Sequence, residues 1–287
     1  MEFYTVTETA TRLTMVKRGE VDVATLMTDV FYEDVKKDPK LRLLVPLSPS
    51  QRLVYIPAQF NPKSPWADAR VRKAASLAID RKTLADIHMP GSGPIGSLGF
   101  DNEAFAAHFS PDPYDPEGAK KLLSEAGYAK GVNVGKLYPA DGGYLPYGEQ
   151  VATYWKAVGI NAEIVILDRA TWQAERRAGK MKDGAFVDPS VAPTIGGRLS
   201  YLFTVGNYGN YPDILALWDR YGLEISPNAR RELILKVQSL ILERTMFIPL
   251  TSNNSPAAFG PKVKGNPYKA QPLIWFTAPF EDIELNK

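Results

Sequence analysis

Cysteine is absent from the 287 residues. That removes disulfides, thiol nucleophiles, thiolate zinc sites and iron–sulfur ligation together. Without disulfides to protect, the chain suits either redox compartment. Histidine is nearly absent too: the chain holds only His88 and His108. They have no Glu-x-x-His or His-x-x-x-His partner, so a metal site is not expected and a surface or packing role is. A Ser-His-Asp triad would have to use one of the two. Apolar runs long enough to span a bilayer, roughly 20 residues, are missing. Met1-Glu2-Phe3-Tyr4-Thr5 is not the basic start and apolar stretch of a signal peptide. Charge of one sign is missing as well. Lys and Arg number 34 against 32 Asp and Glu, a net charge of +2. That balance argues against a general nucleic-acid binder.

What is present describes an ordinary globular chain of roughly two domains' length. Hydrophobic residues are 45% and charged residues 23%, enough for a core that needs no staple. Fourteen Tyr, twelve Phe, five Trp and 23 Pro suit a loop-rich, aromatic-lined protein.

Cap and stop signals divide the chain. A helix is expected before Gly19 and a short strand over 20–24. Strands are expected over 40–47 and 52–56, the second closed by Pro57. Asn61-Pro62-Lys63-Ser64-Pro65 is breaker-rich and reads as a crossing between domains. Asp68 caps a helix whose Val71, Ala74, Ala75, Ala78 and Ile79 share one face, and a second helix enters at Asp80. Residues 90–99 read as a loop. Asp115 as N-cap, Pro116 at the first position and Gly127 as stop bound the clearest helix. A strand over 132–138, a turn at 141–143, a helix over 147–158, a strand over 161–167, a helix capped by Asp168 and a strand over 185–187 follow. Residues 188–211 are irregular by composition, and a helix runs over about 227–244. Alternating strands and helices point to an α/β layer. There is no internal repeat.

At this point several blocks carry a resemblance. They are Gly19-Glu20-Val21-Asp22-Val23-Ala24; Phe60-Asn61-Pro62 with Trp66 through Ala74 and Ala78-Ile79-Asp80-Arg81; Tyr114-Asp115-Pro116-Glu117 with Ala119 through Leu123 and Glu125-Ala126-Gly127-Tyr128; Val158-Gly159-Ile160-Asn161; and the stretch from Arg230-Arg231 to Pro249-Leu250. In this order they resemble the C-terminal portion of the family 5 (peptide/nickel/opine class) extracytoplasmic solute-binding proteins of ATP-driven (ABC) importers. The resemblance implies a class II periplasmic-binding-protein-like α/β fold, with lobe II complete and lobe I partial. Residues 1–58 and 249–287 would then be remnants of lobe I, and 59–248 lobe II. It implies no catalytic group and no cofactor. It further implies a membrane permease as partner, a periplasmic or extracytoplasmic location, and a chain shortened at its N-terminal side. Sheet edges left exposed in lobe I would favour pairing with another chain. Lobes of this kind close on their ligand, here about a hinge near 57–65 and 247–251.

The candidate ligand contacts are Tyr144, Tyr147, Asp188, Ser190, Thr194, Arg198, Asn207 and Tyr208. The loop from Asp188 to Arg198 leaves the strand over 185–187, where open α/β sheets place ligands. Asp188 can accept from an amine or hydroxyl, Ser190 and Thr194 can do either, and Arg198 can fork onto an acid. The bland reading is a solvated loop. Tyr144-Leu145-Pro146-Tyr147 opens a helix, a ready anion site. The bland reading there is core or capping aromatics. Tyr201, Tyr208 and Tyr211 with Asn207 and Asn210 suit either a polar aromatic pocket or loop packing.

Two departures from the family pattern bear on the ligand. Peptide-binding members resemble Arg-x-Tyr-x-Pro where this chain has Gly142-Gly143-Tyr144-Leu145-Pro146, and relatives often carry a Trp in the 188–198 loop that this chain lacks. The expected ligand is therefore a small polar organic solute, with a dipeptide and nickel disfavoured. Two alternatives stand beside this reading. One is the ligand-sensing domain of a bacterial transcriptional regulator, since some regulators resemble a DNA-binding head fused to such a lobe. The other is a hydrolase, for which Glu117, Glu125 and Glu163 form no carboxylate pair.

Overall fold

The computed structural model describes residues 1–25, 27, 31–44, 51–88, 110–140, 144–190, 211–252, 256–265 and 283–286. It is α/β, as the alternation of elements predicts. The elements are α1 (Thr9–Arg18), β1 (Val23–Ala24), α2 (Tyr32–Lys37), β2 (Arg42–Leu44), β3 (Gln51–Tyr55), α3 (Ala69–Leu77), α4 (Arg81–His88) and α5 (Pro116–Glu125). There follow β4 (Val132–Pro139), α6 (Leu145–Ala157), β5 (Ile160–Ile164), α7 (Arg169–Arg177), β6 (Ala185–Ser190), α8 (Pro212–Leu223), α9 (Pro227–Glu243), β7 (Phe247–Ser252) and β8 (Ala257–Phe259). Two short 3-10 turns, Pro57–Phe60 and Pro65–Ala67, join β3 to α3.

The helix starts follow the chemistry of their first residues. The Asp68 carboxylate accepts from the Arg70 N–H, that of Asp115 from Gly118 and that of Asp168 from Thr171. Each satisfies an amide that a helix otherwise leaves bare. Gly127 and Gly179, the predicted stops, take positive φ of 90° and 67°.

The eight strands form two sheets among the described residues. The larger has the order β5-β4-β6-β3-β7. β4 runs parallel to β5 and to β6, while β3 is antiparallel to both β6 and β7. Strand β3 is buried on both faces, which its unbroken apolar run Leu53-Val54-Tyr55-Ile56 allows. Val54 and Ile56 join the core under α3 to α6 with Val71, Ala75, Leu123 and Trp155. Leu53 and Tyr55 join the opposite core with Trp172, Phe186, Ile234 and Val237. The first core is pinned by two indoles 5.2 Å apart: Trp66 donates to the Val134 carbonyl and Trp155 to that of Ala75. A buried indole keeps its place only if its N–H finds a partner.

The smaller sheet, β1-β8-β2, is antiparallel and packs on α1 and α2 through Leu13, Val16, Tyr32, Val35 and Ala258. Its outer strands are β1 and β2. The expected division at 58/59 and 248/249 assigns β3, and part of β7, to the first lobe. Both strands hydrogen-bond within the larger sheet.

Two glycines mark close approaches. A Cβ on Gly148 would lie 2.7 Å from the Pro139 side chain, so α6 presses its first turns onto the end of β4. One on Gly184 would lie 2.2 Å from the Lys136 carbonyl oxygen.

Two helices escape the sequence reading. α2 has no side-chain cap, and α8 starts at Pro212, directly after the stretch 188–211 read as irregular. β6 also runs past the predicted 187 through Pro189 to Ser190. Its pairing with β4 ends at Val187, so from there on β3 is its one neighbour among the described residues and a proline is tolerated.

Candidate functional site

The carboxyl ends of β4, β6 and β7 point the same way, and the start of antiparallel β3 lies among them. This end of the sheet gathers Pro139, Ser190, Ser252 and Gln51, with the first turn of α6 beside it. Open α/β sheets take ligands at such an end.

Arg52, the second residue of β3, is the charged centre here. Its guanidinium carbon lies 4.3 Å from the centroid of the Tyr147 ring and 5.6 Å from that of Tyr144. Tyr147 is buried at 4% exposure, and its hydroxyl donates to the His88 carbonyl at 3.2 Å. The His88 ring lies 4.2 Å from it, tilted by 33°. Imidazole, phenol and guanidinium thus form a layered stack on the α6 side of the sheet.

The β3–β7 ladder has an irregularity at the same place. Its register shifts between Arg52 and Leu53, leaving Thr251 opposite Arg52. A bulge of this kind re-aims side chains. Thr251 is fully buried, and its hydroxyl has no hydrogen-bond partner among the described residues. At the start of α6, Tyr144 occupies the cap position without a side-chain cap bond, and a helix start carries partial positive charge.

The predicted contacts fall as follows. Tyr144 and Tyr147 are brought together, 6.4 Å between rings, and both meet Arg52. The backbone of Asp188 and Ser190 lies in β6, opposite Leu53 and Gln51. Thr194, Arg198, Asn207 and Tyr208 lie outside the described residues, as do His108, Tyr201 and Asn210. Tyr211 caps α8, and its hydroxyl donates to Gln59 Oε1 at 3.2 Å.

That bond belongs to a second polar cluster, at the crossing from β3 to α3. Arg72 donates to the carbonyls of Arg244, Trp66 and Ala67, and reaches the Tyr211 hydroxyl at 3.3 Å. Gln59 donates to the carbonyls of Ile56 and Met246. Arg244 stacks on Tyr211 at 4.6 Å and pairs with Asp213, whose carboxyl it holds below the usual range. Nearby Arg81, 5% exposed, donates to the carbonyls of Pro249, Ser76 and Asp112 and to the Ser76 hydroxyl. Burial pushes its pKa down to about 10, which leaves it charged at neutral pH. Arg81 thereby ties α4 to β7 along the sheet's edge.

Among the described residues, no group of three His, Asp or Glu side chains is placed to hold a metal. Two open clefts of about 390 and 470 Å³ lie away from the sheet's carboxyl end. One is between α9 and the start of β7, the other between α6 and β5. No described helix is long and apolar enough to cross a membrane.

Comparison with known proteins decides the family. The model of the bacterial extracellular solute-binding proteins, family 5, middle region, matches residues 1–185. The chain belongs to this family. The heme-binding protein A of Haemophilus influenzae is 24% identical over 276 residues, covering 91% of this chain and 50% of that relative. The glutathione-binding protein GsiB of Escherichia coli K12 is 25% identical, covering 98% and 56%. The chain therefore spans about half the length of the curated relatives it matches. Among solved structures, the periplasmic binding protein DppA of Helicobacter pylori, in complex with the peptide STSA, superposes with a TM-score of 0.81 at 18% identity, covering 99% of this chain and 56% of that one. NikA of Brucella suis, in complex with Fe(III)-EDTA, gives 0.82 at 20% identity, covering 98% and 61%. The fold is that of the family 5 periplasmic binding proteins. These relatives are solute-binding proteins, not enzymes.

Proposed function

We propose that the chain works in the extracytoplasmic solute-binding component of an ABC importer, taking a small polar organic solute between two lobes. The observation that carries the reading is the Arg52–Tyr147–Tyr144 stack at the carboxyl end of a family 5 sheet. The larger sheet with its helices serves as lobe II, and the small sheet with α1 and α2 lies on the side of lobe I. The lobes close about the crossings near 57–65 and 247–251. There the Arg72, Gln59 and Tyr211 contacts join the segments by hydrogen bonds that small rotations can keep. The closed form docks on a membrane permease, and the protein acts in the periplasm or its equivalent. The outer strands β1 and β2 of the small sheet offer backbone edges to another chain.

The relatives' names, heme-binding, glutathione-binding and di/tripeptide-binding, span chemically unlike solutes. Within that range Gly142 disfavours a dipeptide, since the motif's arginine is absent there. Nickel is disfavoured because a lone His88 engaged with Tyr147 is a poor metal ligand set.

A thermal-shift screen with opines, oligosaccharides, amino acids, aromatic acids, glutathione and heme tests this. A ligand at a hundred times its Kd stabilises the folded state by about 2.7 kcal/mol, several degrees in melting temperature. At least one class is expected to do so, and silence across all of them would contradict the reading.

A further inference from the structure

We propose that the outer edge of β5, with the exposed flank of α6 beside it, is a contact surface for a second copy of this chain. The inference goes beyond the solute-binding reading and does not depend on it. β5 stands at one end of the larger sheet, and among the described residues no strand pairs with its outer side. A bare edge is a template for another strand. The strand that fits this one is β5 of another copy, and register, charge and room each favour it. Register comes first. The Gly159 carbonyl accepts from the Val132 N–H, and the Val165 N–H donates to the Leu137 carbonyl, so the odd-numbered residues turn their peptide groups toward β4. Ile160, Ala162 and Ile164 therefore turn theirs outward. The register shift between Asn133 and Lys136 puts its extra residue in β4 and leaves the alternation of β5 intact. Antiparallel pairing about Ala162 then sets Ile160 against the partner's Ile164 and Ala162 against the partner's Ala162. All are outward-facing positions, the pattern in which opposed residues exchange both backbone bonds.

Charge agrees with that register. Asn161 and Glu163 are the exposed residues of the strand. The pairing places Asn161 opposite the partner's Glu163, so an amide meets a carboxylate and no like charges face each other. Asn161 Nδ2 reaches the Val132 carbonyl at 3.5 Å, and it has a second hydrogen to give. A two-fold axis through Ala162, normal to the sheet, also lays α6 antiparallel to the partner's α6 on the same face. Glu149 and Lys156 are both exposed and lie two helical turns apart on that flank. Ala152 and Thr153, midway between them, line one cleft with Ala162. About an axis at this point Glu149 faces the partner's Lys156, and Lys156 faces the partner's Glu149. Room completes the fit. The cleft between α6 and β5 measures about 470 Å³, and Ala152, Ala162 and Ile164 give it a half-buried apolar floor. Small side chains at the centre let the two copies approach, and pairing takes that apolar surface out of water.

Sedimentation equilibrium of the 287-residue chain, from about 1 µM to about 1 mM, tests this. The mean mass should climb from 31.7 kDa toward twice that value. Lys156→Glu sets an acid against the partner's Glu149 at both symmetric contacts and should weaken association about tenfold or more. Adding Glu149→Lys restores opposite charges and should bring the affinity back to within about threefold. Ala162→Pro removes an outward N–H at the centre of the edge and should abolish the dimer. Circular dichroism melts establish that each variant is folded. Should Ala162→Pro fail to fold, the charge reversal and its rescue, both at exposed helix positions, decide the matter. The mass of a single chain at every concentration would overturn the proposal. So would a dimer that either variant leaves intact, or one that the double reversal fails to restore.

Discussion

Arg81 and Arg52 both lie against the five-stranded sheet, and they are held in opposite ways. Arg81 is engulfed. Its nitrogens are consumed by the carbonyls of Pro249, Ser76 and Asp112 and by the Ser76 hydroxyl. Arg52 is clasped by aromatic faces at the sheet's end. The first arrangement answers the backbone's need for donors at an edge strand, so it belongs to the fold. The second fixes a cation's plane, so it suits recognition. The same side chain is thus held by carbonyls in one place and against ring faces in the other.

The two roles predict different responses to substitution. Arg81→Met removes the donors that the guanidinium gives to the Pro249, Ser76 and Asp112 carbonyls and to the Ser76 hydroxyl. The expected loss of stability is about 3 kcal/mol or more, read from urea denaturation. A loss under about 1 kcal/mol would erase the distinction, since Arg81 would then be no more structural than Arg52. Tyr211→Phe removes one bond to Gln59 and one contact with Arg72 but keeps the ring beneath Arg244. About 1 kcal/mol should go, measured the same way. Arg52→Gln takes the cation off the Tyr147 ring, and about 1 kcal/mol should go with that contact.

Acid titration gives the smallest effect. Asp68, Asp168 and Asp213 have folded pKa values held below the ordinary carboxylate range, chiefly by Arg70, Thr171 and Arg244 respectively. The unfolded chain therefore binds more protons in that range, and stability rises with pH there. The contribution is complete above about pH 4 to 5, the unfolded aspartate's range. It is lost as pH falls through the lower, folded values. Melting curves should be flat from pH 6 to 8 on this account and slip only below about 4. Asp213→Asn should flatten part of the slope, since Arg244 then has no carboxylate to pair.

Much of this fold is written in local signals. Asp68, Asp115 with Pro116, and Asp168 announce helices because a cap's carboxylate and the amide it satisfies are two or three residues apart. Gly127 and Gly179 announce stops because a positive φ is a property of one residue. The α2 helix lacked such a signal, with Phe31 at its cap and no side-chain bond. For α8 a signal existed, Pro212 followed by Asp213, but the glycines and asparagines before it dominated the reading. The candidate site was legible only in part. Tyr144 and Tyr147 stand out because a helix begins beside them. Arg52 reads as a charge opening a strand. Nothing near it in sequence shows that folding will bring α6 across its side chain. The Arg72–Tyr211–Gln59 cluster was hidden for the same reason: the Tyr211–Gln59 bond joins positions 152 residues apart.

The central claim is that this protein grips a solute and does not transform it. Mass spectrometry of the chain after incubation with its strongest stabilising compound, followed by denaturation and recovery of what was bound, tests that claim most directly. The account predicts close to one equivalent of unaltered solute. A cleaved or modified product accumulating with time would contradict it.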